Sequence, residues 1–347
     1  MTGADILEQD LAGIFSRLEM DWPRLSGARI LITGGTGFIG RWLLEALRHA
    51  DVRLRLDLEV TILTRDPASF AAKAPHLAAH QGFAAVAGDV RSFDPGRADY
   101  THIIHAAADA SAELNEHDPL LMFDTIVTGT RHVLDLARKA GAGRVLFLSS
   151  GAVYGAQPWD MTHVAEDWLG GPDITTHRSA YGEGKRAAEV IAAIYRQQHD
   201  MDIGIARIFT LLGPLLPLDT HFAAGNFLRD AMAGRTVTVN GDGRAVRSYL
   251  YAADLAEWLW AMVLRAPANT ICNVGSEEAV SIGELAERTA RLIGGGRHDI
   301  LGKADAGWNP GRYVPSTRKI REELGVSPAT DLDEALRRTA AWNGWKA

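Results

Sequence analysis

The chain has 347 residues, 47% of them hydrophobic, and a formal net charge of −7. That length suits one large α/β unit with an attached smaller lobe, and the acidic balance, with no Lys/Arg block, argues against a nucleic-acid partner. The single cysteine, Cys272, excludes an internal disulfide framework and a cysteine metal cluster, and no apolar run is long enough for a bilayer. With nothing resembling a signal peptide, the expectation is a cytoplasmic protein with no membrane partner and no metal.

In chain order, the first predicted element is an amphipathic helix within residues 1–27. Leu7, Leu11, Ile14, Phe15 and Leu18 share one stripe, and Trp22-Pro23 ends it. It is expected to pack on the body, with dimerisation or a lid as its other open roles. Ile30 to Ile32 then reads as a buried strand, followed by Gly34, Gly37 and Gly40 and by helical apolar spacing from Arg41 to His49. Gly34 permits a tight turn, Gly37 lets the backbone approach a pyrophosphate, and Gly40 allows close helix packing. The helix start at Phe38 and Ile39 offers free N–H groups to an anion. A dinucleotide is expected here.

Leu58 to Leu63 is the second predicted strand, ending in Thr64-Arg65-Asp66. A carboxylate at this strand end suits the adenosine ribose, whereas an arginine suits a 2′-phosphate. Thr64 and Arg65 therefore favour NADP(H) over NAD(H), unless Arg65 stacks on the adenine or pairs with Asp66. Ala84 to Ala87 forms a third strand before Asp89-Val90, where a carboxylate can accept from the adenine amino group or simply close a surface turn. His102 to Ala108 reads as a fourth strand whose Ala106, Ala107 and Ala108 leave room for a cofactor, with His105 a satisfied strand-end histidine.

After a helix over Leu120 to Ala140, Arg144 to Leu148 delivers Ser149, Ser150 and Gly151 to the sheet edge. Tyr181 and Lys185 follow at i and i+4 on one face of a helix reaching about His199. A lysine cation and an oxidised nicotinamide stabilise a phenolate, so Tyr181 can exchange a proton with a substrate hydroxyl that Ser150 holds. Ile203 to Ile208 is a sixth strand. Further on come a helix through Phe227 to Met232, a strand at Val237 to Asn240 and an apolar helix from Ala253 to Leu264, with Trp258 and Trp260 as packing residues. Another helix begins at Val280 to Glu284. Arg312-Tyr313 lies in a loop that either closes over a nucleotide or is an exposed linker.

The glycine turn Thr33 to Gly40, Asp89-Val90, Ser149 to Gly155 and Tyr181 to Lys185 together resemble the extended short-chain dehydrogenase/reductase family, in its nucleotide-sugar epimerase, dehydratase and reductase group. Arg207 to Pro214, Gly241-Asp242-Gly243 with Arg247, Tyr251 to Leu255 and Asn273-Val274-Gly275 also match later motifs of that family. The resemblance implies a Rossmann-type doubly wound parallel sheet with a smaller C-terminal substrate-binding lobe. It places the dinucleotide domain at 28–210 with 246–266 returning to it, and the nucleotide-sugar lobe at 211–245 and 267–347. It implies Ser150, Tyr181 and Lys185 as catalytic, with Tyr181 and Lys185 also at the cofactor. Gly151, Thr210, Asn226, Arg247 and Arg312 fall at the substrate, Arg247 on its diphosphate. A homodimer through the helix ending at Ala140 and the helix after Tyr181 is implied too.

Departures from the family pattern narrow the chemistry. Family 4,6-dehydratases place an Asp-Glu pair where Gly151 and Ala152 stand, and decarboxylases keep a glutamate there. Elimination is therefore disfavoured, because neither side chain here transfers a proton. Ile126 and Thr210 stand where asparagines are common. The expected activity is hydride transfer at sugar C4, foremost the reduction of a 4-keto nucleotide sugar. A 4-epimerase is the alternative, and a redox-inactive NADP(H)-sensing module is the third reading.

Overall fold

The computed structural model describes residues 2–108, 111–218, 222–304 and 309–346. Its body is a parallel sheet of seven strands: β1 (Arg29–Thr33), β2 (Glu59–Thr64), β3 (Phe83–Ala87), β4 (His102–His105), β5 (Arg144–Ser150), β6 (Ile203–Ile208) and Ile271–Val274. Across the sheet the order is Ile271–Val274, β6, β5, β4, β1, β2, β3. The chain thus winds outward in both directions from the β1–β4 boundary. In doubly wound sheets a ligand binds at that reversal, outside the carboxyl ends of the strands.

Side chains alternate along each strand, so the sheet feeds two cores. Ile30 and Ile32 join one with the helices Phe38–Leu54 and Ala252–Arg265, whereas Leu31 joins the other with Pro119–Ala140 and Ala180–His199. Trp258 and Trp260 are fully buried packing residues, as expected.

Two expectations are corrected. β4 stops at His105 instead of reaching Ala108: on one side β1 ends opposite it at Thr33, where Gly34 turns the chain at φ 69°, and on the other β5 runs on to Ser150 paired with β6 only. Ile271–Val274 is expected with 267–347 in the smaller lobe, yet it pairs in parallel with β6 from Ile205 to Ile208 and extends the main sheet. A four-residue strand reached through a long excursion carries no local signal of where it returns.

The N-terminal helix, Gly3–Arg17, opens with a Thr2/Asp5 capping box and buries Ile6, Leu11 and Ile14. It packs on Phe38–Leu54, Ala252–Arg265 and Leu332–Trp342. Its buried Asp10 accepts from the Tyr251 hydroxyl at 2.6 Å and from Arg338 at 2.5 Å. Arg17 pairs with Glu257 on the Ala252–Arg265 helix. In the smaller lobe, Val246–Arg247 runs between Val280–Ser281 and Arg312–Tyr313, and the helices Ala223–Met232 and Ile282–Ile293 pack alongside. Among the described residues no helix is long and apolar enough to cross a membrane.

Candidate active site

The glycine turn forms a cradle whose walls are set by backbone. A Cβ on Gly34 would lie 2.8 Å from the main chain of Ala106 and Ala107, and one on Gly40 would strike the Gly34 carbonyl oxygen. Gly37 differs, since its nearest neighbour would be the Gly34 oxygen at 3.5 Å, so its face is open. The helix Phe38–Leu54 starts at Gly37 with no side-chain cap, which leaves its first N–H groups, Phe38 and Ile39 included, for an anion. These residues fit a pyrophosphate. Thr33, ahead of the turn, meets His105 Nδ1 at 2.7 Å and accepts from the Ala107 N–H at 3.3 Å, while His105 Nε2 meets Thr130 at 3.1 Å. Burial pushes His105 down to about 3, so it is a neutral strut for this edge.

At the adenosine end, Thr64 closes β2, its hydroxyl 3.3 Å from that of Thr36 and accepting from the Asp66 N–H at 3.3 Å. Asp66 is committed as a helix cap, accepting from the Ser69 N–H at 2.9 Å. Arg65 is exposed, and its charge acts on Asp89. Asp89 lies beyond β3, but Arg91 holds its carboxylate through side-chain bonds of 2.9 and 2.6 Å, keeping it at about 2. Val90 is buried against Gly129, so it serves packing. Ala106, Ala107 and Ala108 follow β4 as open chain beside Gly34.

The predicted trio converges where β5 meets the helix Ala180–His199. Ser150 is the last residue of β5, and its hydroxyl accepts from the Ala152 N–H at 3.1 Å. The Ser150 hydroxyl acts on the Tyr181 phenol to lower it, but burial outweighs that and raises Tyr181 above its ordinary value. Asn115 pins the start of this helix, accepting from the Tyr181 N–H at 3.2 Å and donating to the Arg178 carbonyl at 2.9 Å. Lys185, 3% exposed, donates to the Leu148 carbonyl at 2.6 Å and lies 4.9 Å from the Phe147 ring centre. Burial pushes Lys185 down to about 7, opposed by the Glu189 carboxylate. Without cofactor, one Lys185 donor is engaged by a backbone carbonyl and Tyr181 keeps its proton.

A second phenol shares the site. The Ser150 hydroxyl acts on Tyr313 as well, and burial raises this phenol too. It belongs to no exposed linker, because Arg312–Tyr313 pairs with Val246–Arg247 and brings Tyr313 opposite Arg247. A Cβ on Gly151 would fall 2.6 Å from the Tyr313 hydroxyl and 2.6 Å from Phe209 Cζ, so those two rings fill the space a side chain at 151 would take. Arg312 stacks over Trp159 at 5.0 Å, and its buried Nε–H has no hydrogen-bond partner among the described residues. Arg247 donates to the Val246 carbonyl at 2.8 Å. Thr210 is partly buried after β6, its carbonyl accepting from Leu250 at 3.0 Å. Asn226 is farther out, bordering a cavity of about 470 Å3 with Arg229, Thr238 and Asp242. Another cavity, of about 410 Å3, borders Tyr181, Ala152, Asn115 and Arg178, and among the described residues no carboxylate lines it. Sequence reasoning gives Tyr313 only a share, with Arg312, in a loop that closes over a nucleotide or is an exposed linker, and it assigns no role to Trp159.

The NAD dependent epimerase/dehydratase family model matches residues 30–275. The chain belongs to this family. It is an enzyme of the NAD-dependent nucleotide-sugar epimerase, dehydratase and decarboxylase type, with the Rossmann-like fold of that group. UDP-glucuronic acid decarboxylase 1 of Xenopus tropicalis is 31% identical over 313 residues, covering 90% of this chain and 71% of that protein. UDP-glucuronic acid decarboxylase 6 of Arabidopsis thaliana is 32% identical over 314 residues, covering 90% and 87%. Among solved structures, UDP-glucose 4-epimerase of Thermus thermophilus in complex with NAD superposes with a TM-score of 0.74 at 27% identity, covering 91% of this chain and 99% of that one. The dTDP-glucose 4,6-dehydratase DesIV of Streptomyces venezuelae, with NAD and TYD bound, gives 0.76 at 26% identity, covering 90% and 96%. In this family member, Ile126 packs 3.3 Å from the position of a Cβ on Gly184, an apolar contact between the two long helices.

Proposed function

We propose that this enzyme reduces a 4-keto nucleotide sugar at C4, using NADPH. The observation that carries the reading is the company of Tyr181. Its phenol is held protonated by burial and faces Ser150, with Gly151 and Ala152 beside it and no carboxylate among the described residues that line the adjoining cavity. A proton donor without a second acid or base suits carbonyl reduction and gives no route to elimination. Decarboxylation, the activity named for the similar UDP-glucuronic acid decarboxylases, is disfavoured for the same reason.

In this mechanism the bound nicotinamide cofactor supplies hydride to C4. Ser150 holds the C4 oxygen, and Tyr181 gives its phenolic proton to that oxygen as charge develops. Lys185 supports the phenolate left behind, and Tyr181 recovers a proton from solvent. Preference for the 2′-phosphate rests on Thr64 at the strand end, on exposed Arg65, and on the engagement of Asp66 as a helix cap. A 4-epimerase is the second reading, favoured by the likeness to the NAD-bound Thermus epimerase. The same trio would then oxidise C4 and return hydride to its other face.

The test supplies purified enzyme with UDP- and dTDP-linked 4-keto-6-deoxy sugars and either NADPH or NADH. Cofactor consumption with a C4 alcohol product is expected, and none with either cofactor refutes the reduction. Interconversion of C4 stereoisomers without added cofactor would establish the epimerase instead. Tyr181→Phe is expected to lower kcat by about 10²–10⁴-fold while keeping cofactor binding; unchanged turnover would remove Tyr181 from the chemistry.

A further inference from the structure

The last three residues of β5 each engage a different turn of the helix Ala180–His199. Ser150 faces the Tyr181 phenol, the Leu148 carbonyl accepts from Lys185, and the Ser149 hydroxyl donates to Glu189 at 2.6 Å. Tyr181, Lys185 and Glu189 follow at four-residue intervals, so they share one helix face. Glu189 is also gripped from the next strand, accepting from Arg207 Nε at 3.1 and 3.2 Å and from Nη2 at 2.7 Å. Arg207 is in turn fixed by the Tyr154 hydroxyl at 2.8 Å and the Glu166 carbonyl at 3.0 Å. The carboxylate and guanidinium side chains are only 12% and 14% exposed. Such a clamp is hard to slide.

We propose that Glu189 is a positioning residue: clamped by Ser149 and Arg207, it sets the register of the catalytic helix against β5 and maintains the Lys185 ammonium. The inference rests on the reading in which Tyr181 and Lys185 serve the chemistry. The groups facing Lys185 leave Glu189 as its anion. On its own helix are Tyr181, a neutral phenol, and Glu189; from the sheet come Phe147 and His105, the latter uncharged; Thr130 of Pro119–Ala140 bonds His105. Beyond Glu189 lie the cations Arg207 and Arg196, which it offsets. Burial alone drives a lysine toward neutrality, and an anion one helical turn away opposes that.

The six lysines of the chain permit a direct test, because Lys185 is the one buried lysine among those described. Isotope-labelled lysine is introduced, Lys185 is assigned from the signal missing in Lys185→Arg, and its titration is followed by NMR without substrate. In Glu189→Gln the midpoint is expected to fall by about one pH unit or more. The double variant Glu189→Gln with Arg207→Gln removes the guanidinium together with its carboxylate partner, and its midpoint is expected to fall likewise if the single variant does not fold. Ser149→Ala keeps the charge and loses the tether; it is expected to leave the midpoint in place and lower kcat without moving the alkaline limb of turnover. A wild-type Lys185 midpoint in the charge variants overturns the proposal, as does wild-type kcat in Ser149→Ala. The midpoint is read without turnover, so a failed reduction assay would leave that result standing.

Discussion

A single methyl at position 151 tests whether the packing behind Ser150 sets the chemistry. In Gly151→Ala the new carbon would sit 2.6 Å from Phe209 Cζ, 2.7 Å from Phe209 Cε2 and 2.6 Å from the Tyr313 hydroxyl. Carbon contacts settle at about 3.5–4.0 Å, so the rings must withdraw by roughly 1 Å. Phe209 has little freedom, being 4% exposed, with its ring centre 4.5 Å from that of Tyr313 at a tilt of 33°. Tyr313 is tied by its strand to Val246–Arg247. Overpacking of this kind costs about 1–3 kcal/mol and lowers the melting temperature by several degrees. A displacement near 1 Å at a reacting centre costs on the order of 100-fold in rate. The variant is assayed for kcat, cofactor affinity and thermal midpoint together. We expect kcat to drop about 100-fold with cofactor affinity unchanged, because the glycine cradle lies on β1. Adding Tyr313→Phe to Gly151→Ala should then cost little more. A variant that melts earlier but turns over normally would refute the reasoning.

Three further outcomes are expected. Arg65→Ser should weaken NADPH binding by about tenfold, the worth of one charge-assisted phosphate contact, and leave NADH unaffected; equal losses for both would place Arg65 elsewhere. Asp254, raised to about 7 chiefly by burial, contributes stability fully present below its ordinary value of 3.8 and lost as pH rises through about 7. Asp254→Asn should remove that fall, seen as a thermal midpoint that changes less between acidic and alkaline buffer than in the wild type. Val190 and Ile194 are 60% and 42% exposed on Ala180–His199, beside Pro119–Ala140, and a second copy is the expected cover. Val190→Glu should turn a dimer into a monomer in light scattering, and a monomeric wild type would contradict this.

How much of this was legible depends on whether the signal was local. The glycine turn declares itself within eleven residues, since strand, turn and helix are contiguous and each glycine answers a steric demand. Tyr181 and Lys185 are likewise one helical turn apart. Tyr313 lay beyond that reach, because its place beside Ser150 depends on the pairing of Arg312–Tyr313 with Val246–Arg247, which nothing near either segment specifies. The Glu189–Arg207 clamp joins a helix to a strand 18 residues on, so it appears only when both pack. Lys185 was plain in its spacing, whereas its bond to the Leu148 carbonyl was not, because every residue carries a carbonyl.

The ion pair at Asp10 bears on when the fold can be completed. Arg338, its cation, lies 328 residues downstream. Until that arginine has been synthesised, the helix Gly3–Arg17 can cover the sheet only by burying Asp10 without its cation, at a cost of a few kcal/mol. Closing so long a loop adds entropy to the same delay. On the ribosome, therefore, this helix emerges long before its last partner, and its apolar stripe stays available to chaperones in the interval.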